Sequence, residues 1–149
     1  MKKFKFRYES VLKMRLDQED KIKNDLAKLI TRRQRLIDQL IEVKDASALY
    51  DKHIQDSLEK GESRSERHQF SQGKQYYRDK TNNLNQQLAQ INQDIIGVQQ
   101  KLVEAVKDRK VMDKLKEKAF KAFVEAINEA DEKLIEEVVN FANNKRNGE

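Results

Sequence analysis

The sequence predicts an all-α protein in which two long helices form an antiparallel coiled-coil hairpin. An apolar residue recurs at alternating steps of four and three residues along most of the chain, and this repeat is interrupted once, near Gly61. A mean spacing of about 3.5 residues places side chains along one narrow seam of a helix, and such a seam is buried against a partner helix. The 149 residues also contain no proline, the residue that most strongly breaks helices.

The first helix is predicted from about residue 8 to about residue 59. Ahead of it, Phe4, Phe6 and Tyr8 alternate with basic residues, which indicates a short extended arm. The seam that follows is mostly apolar and is interrupted by a few polar residues. Its positions are Tyr8, Leu12, Arg15, Glu19, Ile22, Leu26, Leu29, Arg33, Leu36, Leu40, Val43, Ser47, Tyr50 and Ile54.

A turn is predicted at about residues 60–63, followed by a second helix from about residue 64 to about residue 143. Gly61 can adopt the left-handed conformation that closes a helix. Ser63 and Glu66 have the spacing of a capping box, in which each side chain bonds the other residue's amide. The seam then resumes at Phe70 and continues to Ala105. The whole chain, residues 1–149, is therefore predicted to be a single elongated coiled-coil domain.

A short connection forces the helices antiparallel, so the numbers of facing residues should sum to roughly 128. This rule places Tyr50 near Tyr77. It also places the charged seam residues opposite complementary partners, with Glu19 facing Arg109. Arg15 is likewise predicted to face Asp113. We expect these register pairs, Arg15, Glu19, Arg109 and Asp113, to specify how the helices align, at some cost in stability.

The second helix is predicted to extend past the start of the first, which leaves an apolar stripe without a partner helix. Such a stripe needs another molecule or the folded-back arm, through Phe4 or Phe6, to cover it. Basic residues cluster in the arm and in the part of the second helix predicted to face it. The stripe comprises Phe120, Phe123, Ile127, Leu134, Val138 and Phe141.

Composition excludes several classes of function. Charged residues make up 38% of the chain and cysteine is absent, which rules out disulfides and thiolate chemistry. His53 and His68 lack metal-ligand spacing, and no phosphate loop or nucleophile motif occurs. We therefore expect a protein that is not an enzyme and that binds no cofactor, metal or small molecule. Basic and acidic residues are interleaved over most of the chain, which argues against nucleic-acid binding.

No signal peptide or membrane span is predicted, since no apolar segment follows the basic start of the chain. A cytoplasmic location is the expectation.

The frame formed by Phe4, Phe6, Tyr8, Val11, Leu12 and Arg15 resembles the start of the FliJ family of bacterial flagellar export proteins. The length, the central turn and the basic stretch at 109–118 agree with this resemblance. The resemblance implies a stalk that inserts into the hexameric ring of the flagellar export ATPase and promotes its assembly and activity. It also implies contacts with the export gate, a membrane protein, and with export chaperones, at the inner membrane of the flagellar base.

The resemblance and the charge pattern together suggest two sets of binding residues. The export-gate candidates are Phe70, Tyr76 and Lys80, the last at a position where an apolar neighbour is expected. The candidates for docking to the ATPase are Lys2, Lys3, Lys5, Arg7, Arg109, Lys110, Lys114, Lys116, Lys118, Lys121, Phe123 and Ile127.

Two other interpretations fit the heptads. One is a generic coiled-coil adaptor or dimeric scaffold, and the other is the related stalk of a virulence type III secretion system. Binding of nucleic acid through net charge alone, which is +5, is a third.

Overall fold

The computed structural model describes residues 2–148, which contain two α-helices and no strand. Helix α1 spans Glu9–Lys60 and helix α2 spans Arg64–Asn147. The two helices pack against each other as the predicted antiparallel hairpin. Helix α2 ends later than the predicted boundary near residue 143, because no glycine or proline follows Gly97 before Gly148. The Gly148 amide donates to the Asn144 carbonyl at 3.0 Å.

The turn between the helices has the predicted left-handed conformation at Gly61 and one of the two bonds of the predicted capping box. Gly61 has a φ of 81°, in the left-handed region that costs glycine nothing, and its amide donates to the Leu58 carbonyl at 3.3 Å. On the far side of the turn, the Ser63 hydroxyl accepts a hydrogen bond from the Glu66 amide at 3.2 Å. This bond satisfies one of the four amides that begin α2 without a partner inside the helix.

The chain divides into two compact units. One is Lys21–Val103, which contains the turn, and the other combines Met1–Asp20 with Glu104–Glu149. We refer to them as the turn unit and the terminal unit.

The turn unit has a continuous apolar core along its seam. Leu36, Val43, Leu84 and Ile91 are buried and form one cluster. Leu36 and Ile91 thus agree with the rule that the numbers of facing residues sum to roughly 128. The rings of Tyr50 and Tyr77, also predicted to face each other, have centroids 5.4 Å apart. Partly buried residues extend the cluster along both helices: Leu29, Leu40, Tyr77 and Leu88.

Gly73 has a packing role that its position inside α2 conceals. The Tyr50 ring lies across α2 at this glycine, and a β-carbon at residue 73 would overlap the phenol. The Tyr50 hydroxyl donates a hydrogen bond to the Gln69 carbonyl at 3.3 Å. Tyr50 therefore occupies the space that any other residue at position 73 would fill.

The terminal unit begins with a non-helical arm. Residues 2–8 precede α1, and the Glu9 amide closes the helix start by donating to the Phe6 carbonyl at 3.2 Å. Leu12 and Ala105 are buried in this unit, at 4% and 7% exposure. From Val124 to Asn147 every residue of α2 is exposed. Along residues 2–148, neither helix is long and apolar enough to cross a lipid bilayer.

Candidate functional site

An ion-pair network lies in the seam of the terminal unit. Glu19 is only 4% exposed, and its carboxylate accepts a hydrogen bond from Arg109 Nε. Arg109 also donates from Nη1 to Asp113 Oδ2 at 2.6 Å, one turn further along α2. The hydrogen bonds to Glu19 and then to Asp113 raise the pKa of Arg109 above its ordinary value. Arg109 is thus a permanent cation that bridges a buried carboxylate and an exposed one.

The predicted pairing of Arg15 with Asp113 is wrong. Arg15 Nη1 instead lies 3.5 Å from Asp108 Oδ2 and donates to Gln18 Oε1 at 3.2 Å. The reason is that Asp113 lies four residues from Arg109 on the same helical face, and Arg109 binds it. The partner of Arg15 is therefore displaced by little more than one turn of α2 from the predicted one.

The arm folds back onto the start of the apolar stripe. The Phe4 ring packs edge-on against Phe120 and tilted against Phe123, with centroid distances of 5.3 Å and 5.5 Å. Of the two arm phenylalanines, Phe4 makes these contacts, while Phe6 packs against Tyr8 at 5.9 Å. The arm thus covers the stripe only where it begins.

A groove of about 660 Å³ runs between the arm and α2, and we call it the arm groove. The α2 side of the groove is formed by Leu115, Ala119, Ala122 and Phe123, which are apolar. The arm side carries four cations. They are Lys2, Lys3, Lys5 and Arg7.

The lysines of α2 differ in what they contact. Lys116 Nζ forms an ion pair with Glu9 at 2.9 Å across the two helices, and Lys121 pairs with Glu117 within α2 at 3.7 Å. Lys116 and Lys121 therefore form ion pairs within the fold, in addition to any contact with a partner. The remaining α2 candidates are exposed, namely Lys110, Lys114 and Lys118.

Beyond the arm, the stripe is open to solvent. Ile127 is 40% exposed and Phe141 is 70% exposed, as free helical side chains are. Three further exposed residues, Val124, Ile135 and Val139, widen the stripe beyond the positions that the heptad pattern selected. These three residues could have been found from the 3.6-residue period of a helix that has no partner helix, because its apolar face is wider than a heptad seam.

The export-gate candidates lie in the turn unit and are of two kinds. Phe70 is half-buried and packs edge-on against Tyr50 and His53, at 6.2 Å and 5.8 Å. Tyr76 is 56% exposed, and Lys80 lies over its ring with Nζ donating to the hydroxyl at 3.3 Å. Phe70 therefore supports the seam, while Tyr76 and Lys80 present a surface.

The fold and these surfaces define a coiled-coil hairpin whose binding chemistry is charge and exposed apolar area. Among residues 2–148, no group of three or more histidines and carboxylates is placed to hold a metal ion. A model of the family described as Flagellar FliJ protein matches residues 4–148. The chain therefore belongs to the FliJ family and is a component of the flagellar export apparatus. Comparison with curated proteins and with solved structures yields no match.

Proposed function

We propose that this chain is a stalk that inserts into the ring of the flagellar export ATPase and promotes its assembly and activity. The observation that carries the proposal is the composition of the terminal unit, where a cationic arm groove adjoins an apolar stripe that is open to solvent beyond Phe123. A helix that leaves such a stripe open needs another macromolecule to cover it.

The two chemistries have separate roles in this proposal. The exposed stripe supplies the area that is buried on docking, and apolar burial is the main source of affinity. The cationic side chains guide the approach to an acidic or polar surface on the ATPase, since charge complementarity raises association rates. They are those of the arm together with Lys110, Lys114 and Lys118.

The test is the turnover of the purified ATPase with and without this chain. We expect the intact chain to stimulate turnover. A Lys110→Glu, Lys114→Glu, Lys118→Glu variant should need at least a tenfold higher concentration for half-maximal stimulation, which corresponds to a loss of about 1.4 kcal/mol of docking energy. These lysines are chosen because Lys116 also holds Glu9 in the fold.

A matched control carries the same change in charge in the turn unit, at the exposed Lys28, Lys44 and Lys52. It should stimulate as the unaltered chain does. No stimulation by the intact chain would sink the stalk function and leave an adaptor role. An equal loss of stimulation in both variants would show that the effect depends only on the net charge of the chain.

We further propose that the turn unit contacts the cytoplasmic part of the membrane export gate, which would hold the chain peripherally at the inner membrane. The support is Tyr76, an exposed aromatic residue backed by Lys80, because aromatic side chains dominate interface energies. Tyr76→Ala is expected to weaken gate binding about tenfold in a titration, whereas Leu49→Ala, which alters a still more exposed apolar residue of α1, should not. Delivery of unloaded export chaperones to the gate belongs to the same proposal.

A further inference from the structure

One side of the turn unit carries no charge over a long stretch, although 38% of the residues in the chain are charged. On each helix, the residue that directly follows a seam residue is rotated about 100° from it and lies on one flank of the seam. In α1, successive residues of this kind are apolar or carry an amide. They are Ala27, Ile30, Gln34, Ile37 and Ile41.

The corresponding residues of α2 are also uncharged. Each directly follows a seam residue between Leu84 and Leu102, and all of them are exposed. They are Asn85, Ala89, Asn92, Ile96, Gln99 and Val103.

These two flanks lie on the same side of the hairpin. In an antiparallel pair, the residues that follow the seam on one helix are neighbours of the residues that follow it on the other. Near the turn, Asp51 and Arg78 each directly follow a seam tyrosine, and they line one pocket together with Asn82. We call the surface formed by the two flanks the uncharged side.

The opposite side of the turn unit is charged. It is formed by the residues that directly precede a seam residue, and in the same stretch of α1 all of these except Gln39 are ionised. Tyr76 and Lys80 also precede seam residues, so the surface proposed for the export gate lies on this opposite side. The ionised residues of α1 are Asp25, Lys28, Arg32, Arg35 and Glu42.

The uncharged side widens the apolar face of each helix beyond the seam. Ile30, Ile41 and Ile96 are 42%, 53% and 47% exposed. A helix that meets one partner needs apolar residues only along its seam, whereas apolar residues beside the seam are typical of helices in a bundle. The hairpin supplies two helices of a four-helix bundle, so the other two would come from a second molecule.

The chemistry of this side favours a second copy of the chain as that molecule. Contact between identical surfaces brings like charges together, which is destabilising, and a side without charge avoids this cost. An amide group both donates and accepts hydrogen bonds, so Asn85, Asn92 and Gln99 can bond the same groups of a second copy. The surface is therefore suited to an isologous contact, in which each copy uses the same patch.

The area of the uncharged side is sufficient for a dimer. About 20 residues of each helix give a length of about 30 Å, and two helices side by side give a width of about 20 Å. Each copy would then bury about 600 Å², and the total of about 1,200 Å² lies at the lower limit for specific interfaces. A reversible dimer is expected from an interface of this size.

We propose that two copies of this chain associate through the uncharged sides of their turn units and form a four-helix bundle. The exposed isoleucines supply the apolar area that is buried, and the amides supply hydrogen bonds between the copies. The association uses neither Tyr76 nor any residue of the terminal unit, so it does not depend on the proposed stalk function.

The first measurement is the sedimentation of the full chain over a range of concentrations and salt. We expect a reversible monomer–dimer equilibrium whose dissociation constant changes by less than about threefold between low and high salt, because no charge pair crosses the interface. A chain that stays monomeric throughout would overturn the proposal and would mean that helices of another protein cover this side. A dimer that dissociates as salt rises would also contradict it.

The second measurement places charge on the uncharged side. The double variant Ile41→Lys, Ile96→Lys should raise the dissociation constant at least about tenfold, because four like charges would meet in the interface. Both positions are exposed, so circular dichroism should show unchanged helicity. The control, Leu49→Lys with Gln87→Lys, adds the same charge at exposed residues that precede seam residues. It should dimerise as the unaltered chain does, and equal effects in the two variants would exclude the uncharged side as the interface.

The third measurement is cross-linking, which the absence of cysteine from the chain makes specific. An equimolar mixture of Gln34→Cys and Asn92→Cys variants, treated with a short bis-maleimide, should yield a covalent dimer whichever helices face each other. A mixture of Arg35→Cys and Gln87→Cys variants, altered on the opposite side, should yield none. Equal yields from the two mixtures would overturn the proposal. The ATPase test of the stalk function is unaffected by any of these results, since its variants lie in the terminal unit.

Discussion

At the residue scale, two features of the seam depend on individual side chains. The Glu19 carboxylate is buried and bound by Arg109, and the ring of Tyr50 fills the space above Gly73. The first is visible in the sequence as opposite charges at facing seam positions. The second is not, because a glycine in a helix reads only as a loss of helix propensity.

Replacing Arg109 with leucine is expected to lower the free energy of unfolding, since the buried Glu19 carboxylate loses a charged hydrogen-bond donor. The double variant Glu19→Leu, Arg109→Leu should recover that loss, because apolar seam residues often match a buried pair in stability. Urea unfolding followed by circular dichroism measures both. A double variant no more stable than the single one would contradict the pairing.

The pKa of Arg109 bears on the conditions for this measurement. Its pKa is raised in the folded chain, so the stability that it contributes is fully present below the unfolded-state value and is lost only as pH rises through the higher folded value. That window lies above the ordinary arginine range. Arg109 therefore adds no pH dependence near neutrality, and the variant comparison can be made at any neutral pH.

Gly73→Ala is expected to destabilise the chain by about 1–3 kcal/mol, although alanine is the better helix former, because the new methyl group displaces the Tyr50 ring. Gly97→Ala is the matched control. Nothing lies within 4 Å of a β-carbon at residue 97, so that change should stabilise by about 0.5–1 kcal/mol. Equal changes in stability for the two substitutions in thermal unfolding would contradict the packing role of Gly73.

At the element scale, α2 has two different environments. Up to about Phe123 it packs against α1 or the arm, and beyond that point it is a solvated helix. A helix that contacts nothing gains no tertiary stabilisation, so the exposed stripe does not contribute to the packing of the described residues, which agrees with the binding role proposed for it.

A chain ending after Ile127 is expected to keep its urea midpoint, with a change in unfolding free energy below about 0.5 kcal/mol, since the removed residues are exposed. The helical signal should fall in proportion to the residues removed. A comparison chain that ends after Val111 also loses the Phe4 contacts with Phe120 and Phe123, and should be clearly less stable. A large loss in the first chain would mean that the stripe packs within the molecule.

At the scale of the whole molecule, the heptad periodicity and the signals of a short turn were together enough to predict two helices and their antiparallel pairing. Heptad spacing is a local property that every residue of the seam repeats, and an error at one position leaves the pattern intact. The Gly61 and Ser63 signals act within a few residues of chain, so they too could be read without coordinates.

The sequence by itself determined the helical hairpin, its approximate register and the presence of an unpaired apolar stripe at one end of α2. Only the tertiary structure decided that Arg15 pairs with Asp108, that Phe4 rather than Phe6 covers the stripe, and that Tyr50 requires Gly73. The physical reason is that the two kinds of information act over different distances. Spacing along one helix specifies which face a residue occupies, whereas the partner it meets depends on side-chain reach and on competition among neighbours across the interface.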